Sequence, residues 1–134
     1  MNRIGILTMF YNSTNYGGIL QAYALIRYLN QQGYEAEQIC YDRFYEKTIK
    51  GRIYSVISNF YQTKNLVMKY RIDITQRKNV SKWALENIPH SFKIYNKNNI
   101  KLSLNDYDIY IAGSDQIWTN AFSDIYLLSF VPQN

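Results

Sequence analysis

The chain has 134 residues, of which 47% are hydrophobic and 19% charged, and its formal net charge at pH 7 is +5. This composition excludes a disordered chain, and the length suits one domain with its own core rather than two. A single cysteine excludes an internal disulfide, and the lack of any apolar run of about 18 residues or of a signal segment predicts a cytoplasmic protein without membrane spans.

The first third of the chain alternates strand, helix and strand patterns. Ile4–Met9 is a compact run of β type, and Tyr34–Tyr41 is predicted to be a second strand. Between them a helix is predicted from about Gly18 to Gln32, with Gly33 at the usual C-terminal glycine position. Strand, helix and strand within about 40 residues form the βαβ unit of a parallel sheet, so we predict an α/β fold.

The predicted helix carries an apolar stripe that would face the sheet. Its members recur at i, i+3, i+4 and i+7, and they are Ala22, Leu25, Ile26 and Leu29. Much of the remaining helix surface is apolar as well, through Leu20, Tyr23, Ala24 and Tyr28. We therefore expect this helix to be buried on more than one side.

The loop before this helix has the chemistry of an anion site. Gly17 and Gly18 lie where the backbone N–H groups of a helix start have no intrahelical partner, and such a terminus attracts phosphate or carboxylate. Asn15 and Tyr16 add side-chain donors. The loop lacks the G-x-G-x-x-G fingerprint and a P-loop lysine, so no nucleotide site is predicted. A plain tight turn from strand to helix is the alternative.

The middle of the chain has a helical pattern and a strong positive charge. Helices are predicted over Gly51–Thr63, Leu66–Tyr70 and Ile74–Asn87, the last ending before Pro89. Residues 43–82 contain ten Lys or Arg against two acidic residues, which is an excess of eight positive charges. A solvated helical surface is the favoured interpretation, because most charged faces of proteins are simply exposed to solvent.

A partner for this basic segment is the second interpretation. It could meet anionic lipid head groups or a lipid-linked sugar acceptor, giving peripheral contact with a membrane. Nucleic acid is not expected as a partner, although the chain is basic and has 14 tyrosines. No DNA- or RNA-binding signature accompanies the charge, and Asn, Ile, Lys and Tyr are abundant throughout, as a background bias in composition would produce.

Several single residues are predicted to have structural rather than catalytic or ligand-binding roles. His90 follows Pro89 and is predicted to be an exposed loop residue, with no clustered carboxylate or cysteine to make it a general base. Cys40 is predicted to be a small buried hydrophobe and Trp83 a core or interface residue. No spacing typical of metal ligands occurs in the chain, so no metal or cofactor is expected.

A second polar loop follows a short apolar strand, Ile109–Ala112. After the turn at Gly113, the next residues offer a hydroxyl, a carboxylate and an amide, and Trp118 offers a flat wall on which a sugar ring can stack. The three polar residues are Ser114, Asp115 and Gln116. A capped turn over a buried tryptophan remains the alternative.

Both glycine loops should face one crevice. Ligands of open α/β sheets bind beyond the carboxyl ends of the strands, and Gly17 and Gly113 each follow a predicted strand. There the Asp115 carboxylate could accept hydrogen bonds from sugar hydroxyls, or take a proton from one as it attacks. We expect acceptor binding first and general-base work second.

Four segments together resemble the polysaccharide pyruvyl transferase family. They are Asn15-Tyr16-Gly17-Gly18, Gln21-Ala22-Tyr23-Ala24-Leu25, Gly113-Ser114-Asp115-Gln116-Ile117-Trp118 and Tyr126-Leu127-Leu128-Ser129-Phe130-Val131-Pro132. The resemblance covers the first and last thirds of the chain. It implies a candidate catalytic residue, Asp115, and a set of candidate substrate-binding residues: Asn15, Tyr16, Gly17, Gly18, Gln21, Gly113, Ser114, Gln116 and Trp118.

The resemblance also implies an architecture and a reaction. Family members are similar to GT-B glycosyltransferases in having two lobes, and they move a pyruvyl group from phosphoenolpyruvate onto two hydroxyls of a sugar, which forms a ketal in glycan biosynthesis. Residues 1–134 would then be one incomplete, Rossmann-like N-terminal lobe, with a basic helical insertion at about 43–88 and no C-terminal lobe. The alternative is a non-catalytic sugar- or anion-binding module from a truncated relative.

Overall fold

The computed structural model describes residues 2–43, 45, 78–113, 117 and 124–132. Four strands form one sheet, and they are β1 (Arg3–Leu7), β2 (Glu35–Tyr41), β3 (His90–Tyr95) and β4 (Ile109–Ala112). Their spatial order is β3-β2-β1-β4, and every pair of neighbours is parallel. The α/β class with a parallel sheet and flanking helices, predicted from the sequence, is therefore confirmed.

Helices connect and flank these strands. α1 (Tyr16–Gln31) lies between β1 and β2, and the helical residues 78–87, here α2, precede β3. Two short 3-10 helices, Ile100–Asn105 and Asp124–Leu127, lie on either side of β4 in the chain. Among the described residues no helix has the length and apolar character needed to cross a bilayer.

Local chemistry explains where α1 begins and ends. The Asn15 side chain accepts a hydrogen bond from the Gly18 backbone N–H at 3.3 Å, so the helix begins at Tyr16, two residues before the predicted start. Gly33 has φ +86, a left-handed conformation that glycine adopts without strain. The predicted end of the helix at this glycine is confirmed.

One face of the sheet is covered by α1 and α2. The buried side chains of this aliphatic face are mostly branched, and they are Ile4, Ile6, Phe10, Ile19, Ala22, Ile26, Ala36, Cys40, Val80, Ala84 and Ile88. The expectation that α1 is buried on more than one side is wrong, because Leu20 and Tyr28 are 58% and 59% exposed. One stripe of the helix reaches the sheet, and Tyr23 beside it is half-buried against Trp83 of α2.

The opposite face of the sheet is aromatic. Its buried residues are Leu7, Ile39, Tyr41, Tyr95, Ile100, Tyr107, Ile117, Tyr126 and Phe130. Two phenol groups there donate to carboxylates at 2.6 Å, from Tyr107 to Glu37 and from Tyr95 to Asp106. A buried phenol needs such a partner, so these tyrosines are placed by packing and are more than a background composition bias.

Strand β3 was not predicted, and it corrects the expectation for His90. This residue begins the strand and is half-buried, with its Nδ1 atom 2.8 Å from the backbone oxygen of Ile88. Its ring lies 6.1 Å from that of Phe10, centroid to centroid. His90 is therefore part of the sheet and its packing, because parallel pairing with β2 extends the chain directly after Pro89.

Other structural expectations have mixed outcomes. Cys40 is buried as predicted, and this burial raises the pKa of its thiol to about 11. Trp83 lies in α2 and is 41% exposed, so it is not a core residue, although its ring centroid lies 5.8 Å from that of Tyr23. Of the predicted helix Ile74–Asn87 the structure describes 78–87, which are helical. The predicted helices Gly51–Thr63 and Leu66–Tyr70 lie outside the described residues.

Candidate functional site

A polar cleft lies at the carboxyl edge of the sheet, between the end of β1 and the start of α1. Its volume is about 260 Å³, and its lining residues are Thr8, Met9, Tyr11, Asn12, Ser13, Thr14, Asn15, Gly18, Gln21, Arg43 and Tyr126. This is the edge at which ligands bind in open α/β sheets, because the loops that follow parallel strands gather there. The cleft is therefore the candidate functional site.

The loop that forms one wall is held by its own polar groups. Ser13 donates its backbone N–H to the Phe10 oxygen at 3.0 Å, and Asn15 donates its own to the Ser13 hydroxyl at 3.2 Å. Asn12 has φ +55, a conformation that asparagine tolerates better than most residues. With the Asn15 cap on α1, these bonds hold the loop in one shape before any ligand arrives.

Uncharged hydrogen-bonding groups dominate the cleft. Among the described residues that line it, Arg43 is the only charged one. An Arg43 Nη1 atom lies 3.3 Å from the sulfur of Met9. The first turn of α1 contains no acidic residue. The described lining can thus hydrogen-bond hydroxyl groups, and it offers one positive charge.

A buried polar pair lies behind the cleft floor. The Thr8 hydroxyl, which lines the cleft, donates to Oε1 of the fully buried Gln38 at 2.9 Å. Within the described part of the chain, the Gln38 Nε2 atom is buried and has no hydrogen-bond partner. An unpaired buried donor costs about 1–3 kcal/mol, so the pair would gain stability from any polar group that reached it.

Tyr126 forms an aromatic wall of the cleft. Its ring packs edge-on against Tyr41, with the centroids 5.5 Å apart and an interplanar angle of 84°. Burial raises the pKa of Tyr126 to about 12, while the nearby Arg43 charge opposes that rise. The phenol is therefore neutral at pH 7, and because only 2% of the residue is exposed its ring supports the cleft from within the core.

The structure places three of the predicted binding residues in the cleft, namely Asn15, Gly18 and Gln21. Gly17 is next to the cap, where an added Cβ would lie 3.4 Å from the Asn15 Oδ1 atom. Tyr16 is not among the lining residues. It is 59% exposed and borders an apolar groove between α1 and α2, because neighbouring helical positions point about 100° apart.

The second glycine loop starts at the same edge. Gly113 donates its backbone N–H to the Leu7 oxygen at 3.2 Å, and an added Cβ would lie 3.4 Å from Cγ2 of Thr8. Since β1 and β4 pair up to Leu7 and Ala112, both loops leave the sheet side by side, as expected. The other predicted site residues, Ser114, Asp115, Gln116 and Trp118, lie outside the described residues, and their roles stay predictions.

Sequence reasoning missed eight of the eleven described lining residues, among them Arg43, Thr8 and Tyr126. Arg43 follows β2 by two residues, a position that could have indicated a carboxyl-edge loop, but its charge was assigned to the basic middle segment. Thr8 ends an apolar run and gave no signal of its own. Tyr126 belongs to a 3-10 turn far along the chain, and only the folded structure brings it to the cleft.

A family model described as polysaccharide pyruvyl transferase matches residues 15–134. The chain belongs to the polysaccharide pyruvyl transferase family. No curated protein and no solved structure gave a match. The match begins at Asn15, the residue that caps α1 and lines the cleft, and it includes both glycine loops. The resemblance found in the sequence to the polysaccharide pyruvyl transferases is therefore confirmed.

Proposed function

We propose that this chain forms the acceptor-binding lobe of an enzyme that transfers a pyruvyl group from phosphoenolpyruvate to two hydroxyls of a sugar. The observation that carries the proposal is the polar cleft at the carboxyl edge, five of whose eleven described lining residues lie inside the segment that matches the family. Its amide and hydroxyl groups suit a polyhydroxyl acceptor such as a glycan. We place this step in the biosynthesis of an exopolysaccharide or related glycan.

The proposed reaction conserves atoms and charge through a simple exchange. Two sugar hydroxyls form bonds to C2 of phosphoenolpyruvate, and the C2–O bond to phosphate breaks. One hydroxyl proton is delivered to the methylene carbon, which becomes a methyl group, and the other leaves with phosphate. The product is a cyclic ketal that retains the pyruvyl carboxylate.

Residues of the cleft take different parts in this proposal. Gln21 and Asn15 would hydrogen-bond acceptor hydroxyls. Asp115 is proposed to accept a hydroxyl proton and Trp118 to stack on the acceptor, both from the loop that begins at Gly113. No cofactor is required by this scheme.

The architecture that the proposal assumes is GT-B-like. Residues 1–134 would form an incomplete N-terminal lobe with a basic insertion at about 43–88, and a C-terminal lobe of the enzyme would hold phosphoenolpyruvate. We further propose a cytoplasmic location. The ten basic residues against two acidic ones at 43–82 support a peripheral contact with anionic lipid or a lipid-linked acceptor. Pelleting with anionic vesicles that did not respond to salt or lipid charge would contradict that contact.

The proposal is tested by product analysis on the full-length protein. We expect phosphoenolpyruvate and a glycan acceptor to yield free phosphate together with a ketal methyl signal in the proton NMR spectrum of the sugar. Gln21→Ala should lower kcat/KM about tenfold, or about 1.4 kcal/mol, because a hydroxyl contact is lost. Gln31→Ala is the matched control, since it makes the same exchange at an exposed position of α1 away from the cleft. Equal effects of the two variants would contradict the assignment of the cleft.

A binding module without catalysis is the second candidate. It is favoured by one observation: among the described lining residues there is no carboxylate and no histidine to serve as a general base. Sugar binding by the full-length protein without phosphate release or ketal formation would support this candidate over the enzyme. Asp115→Ala separates them further, because it should reduce turnover only if the protein is a transferase.

A further inference from the structure

We propose that the buried amide of Gln38 fixes the Thr8 hydroxyl as a hydrogen-bond acceptor in the cleft, so that Thr8 receives a hydroxyl hydrogen of the sugar acceptor. Gln38 is then a positioning residue, which acts on the ligand only through Thr8. This inference deepens the proposed function and rests on it for the role of the cleft as an acceptor site. It gives the direction of one hydrogen bond to the sugar, which the composition of the lining does not decide.

Backbone pairing places Gln38 behind the cleft. It lies on β2 opposite Ile6 of β1, and it donates its backbone N–H to the Pro89 oxygen at 2.9 Å. Thr8 is two residues beyond Ile6, so the alternation of side chains along a strand puts Thr8 and Gln38 on the same side of the sheet. Neighbouring segments on both sides therefore fix the backbone from which the Gln38 amide extends.

Two contacts hold the Thr8 side chain in one orientation. Its Oγ1 atom donates to Oε1 of Gln38 at 2.9 Å. Its Cγ2 methyl group lies toward Gly113, where an added Cβ atom would be 3.4 Å away. A β-branched side chain has few χ1 rotamers, so these contacts define where the hydroxyl oxygen points. Thr8 is 9% exposed and lines the cleft, which leaves its oxygen next to an incoming ligand.

The bond to Gln38 decides what the Thr8 hydroxyl can offer. A threonine hydroxyl has one hydrogen to donate and two lone pairs that accept. Because this hydrogen is directed to Gln38, the Thr8 oxygen can only accept hydrogen bonds from a ligand in the cleft. A sugar hydroxyl that donates to Thr8 keeps its own lone pairs directed elsewhere. This is the orientation that an attacking oxygen needs in the proposed transfer.

The Gln38 amide is unfavourable for folding, which supports a role in the cleft. Gln38 is fully buried, and its neighbours along the same face of β2, Ala36 and Cys40, belong to the aliphatic core. Its Nε2 atom has no hydrogen-bond partner within the described residues. An unpaired buried donor lowers stability, and an apolar side chain of similar length would avoid that loss. A residue kept for packing alone would not carry this amide.

The first test is calorimetric binding of sugar probes to the full-length protein. The probes are the methyl glycosides of galactose, glucose and mannose, and the monodeoxy and monofluoro analogues of the one that binds most tightly. Thr8→Val should weaken binding of that sugar about tenfold, whereas Thr8→Ser should keep most of the affinity. Fluorine has no hydrogen to donate, so at the contacted position the fluoro and deoxy analogues should lose equal affinity. Neither analogue should lose more in Thr8→Val.

The second test replaces the amide. Gln38→Met should weaken sugar binding about threefold, because the freed Thr8 hydroxyl can rotate, while the urea denaturation midpoint stays the same or rises. The double variant Thr8→Val with Gln38→Met should bind as weakly as Thr8→Val, since Gln38 acts through Thr8. It also leaves no unpaired amide, so it carries the same prediction if Thr8→Val does not fold. Gln31→Met, on exposed α1 surface, is the matched control and should change neither binding nor stability.

The possible results separate the inference from the proposed function. Unchanged sugar binding in Thr8→Val, additive losses in the double variant, or equal loss in Gln31→Met would overturn the inference, even if the ketal product forms. So would a fluoro analogue that keeps the affinity its deoxy counterpart loses, or no binding of any probe by the unmodified protein. Selective loss in Thr8→Val with recovery in Thr8→Ser supports the inference, even if no ketal product is found and the transferase proposal fails.

Discussion

The two faces of the sheet are packed by different chemistry. The aliphatic face is covered by α1 and α2 and is filled largely by isoleucine, with Ala22 and Ala84 where the helices approach closely. The aromatic face is covered by 3-10 turns and is filled by tyrosines in edge-to-face pairs, including Tyr107 with Tyr110 at 5.9 Å and Tyr110 with Phe130 at 5.4 Å. Hydrophobic area stabilises both faces, and the phenol–carboxylate hydrogen bonds distinguish the aromatic one.

This difference shows how each face is specified. Aliphatic packing depends on side-chain volume and on the helical period, so it tolerates repacking as long as the stripe is kept. Aromatic packing depends on ring geometry and on phenol hydrogen bonds to Glu37 and Asp106, which lie on other segments of the chain. We therefore expect the aliphatic face to respond most to lost volume, and the aromatic face to added volume and to lost hydroxyls.

The largest expected effect is on the aliphatic face. Ile26 is 1% exposed on α1, so Ile26→Ala should lower the free energy of unfolding by about 2–5 kcal/mol through lost burial and a residual cavity. Leu20→Ala on the same helix is the control, because Leu20 is 58% exposed and its loss should cost under about 0.5 kcal/mol. Similar denaturation midpoints for the two variants would contradict the burial of a single helix stripe.

A smaller loss is expected from added volume on the aromatic face. A Cβ atom at Gly5 would lie 2.8 Å from Cγ of Tyr107 and 2.9 Å from Cδ1 of Ile39, so one of them must move. Gly5→Ala should therefore cost about 1–3 kcal/mol in urea denaturation. Gly113→Ala is the control, since its nearest contact would be 3.4 Å, and a larger cost there than at Gly5 would refute this account of the face.

Removal of one phenol hydroxyl should have a moderate effect. Tyr107→Phe keeps the ring but removes the bond to Glu37, which keeps Arg3 at 3.6 Å as a partner. The expected cost is about 1 kcal/mol. Tyr28→Phe on the exposed side of α1 should be neutral within about 0.5 kcal/mol, so thermal melts that do not distinguish the two variants would count against the role of this hydrogen bond.

Alkaline pH should weaken both faces in different windows. The pKa of Cys40 is raised to about 11 and that of Tyr126 to about 12, mainly by burial, so in the unfolded chain each group loses its proton at lower pH. Each protonated group contributes fully to the stability of the fold below the pKa that it has in the unfolded chain, which is near 9.0 for Cys40 and 10.0 for Tyr126. This contribution is lost as the pH rises through the pKa that the group has in the folded chain.

The loss should be about 1.4 kcal/mol for each pH unit and each group inside its window. Cys40→Ala should reduce the fall of the free energy of unfolding with pH from about pH 9. Tyr126→Phe should reduce it from about pH 10. Denaturation curves collected across this range provide the measurement. Burial also raises the pKa values of Tyr95, Tyr107 and Tyr110, so these groups share the loss above pH 10. A Cys40→Ala curve as steep between about pH 9 and 10 as that of the unmodified protein would contradict the role of Cys40 burial.

The smallest effects are expected at the charged rims of the two faces. Lys82 lies 3.6 Å from Glu86 on exposed α2 surface, and Lys93 lies 3.1 Å from Asp106 beside the aromatic face. Lys82→Ala should change stability by under about 0.5 kcal/mol, because exposed pairs are screened. Lys93→Ala should lower the stability slightly more than Lys82→Ala. Asp106 also accepts a hydrogen bond from Tyr95, and the pKa of Asp106 is lowered by Tyr95 and Lys93 together. Melting curves in low and high salt would test the order.

The elements found from sequence were those with a local period. The βαβ unit was predicted because α1 carries an i, i+3, i+4 stripe and ends at a glycine with positive φ. β3 was missed because its outward positions are apolar, with Phe92 and Ile94 exposed, so it lacks the alternation that marks a half-buried strand. Pairing with β2, which is distant in sequence, decides that this segment is a strand.

The candidate site was found in part for the same reason. Asn15, Gly18 and Gln21 were identified because they lie at one helix start and inside a recognisable motif. Thr8, Arg43 and Tyr126 come from three separate segments, and of these only Arg43, two residues after β2, has a position that could have indicated the site. Their shared position follows from parallel pairing, which brings the ends of β1 and β2 to one edge, and from the turn that places Tyr126 beside them.

By itself the amino-acid sequence determined the family, the parallel α/β class, the bounds of α1 to within about two residues and the two glycine loops that meet at one sheet edge. Each of these depends on residues close together in the chain, where helical period, capping and turn chemistry act. Only the tertiary structure decided the aromatic core, the place of His90 in β3 and the single positive charge among the described lining of the cleft. Those depend on contacts between distant segments, which a local pattern does not encode.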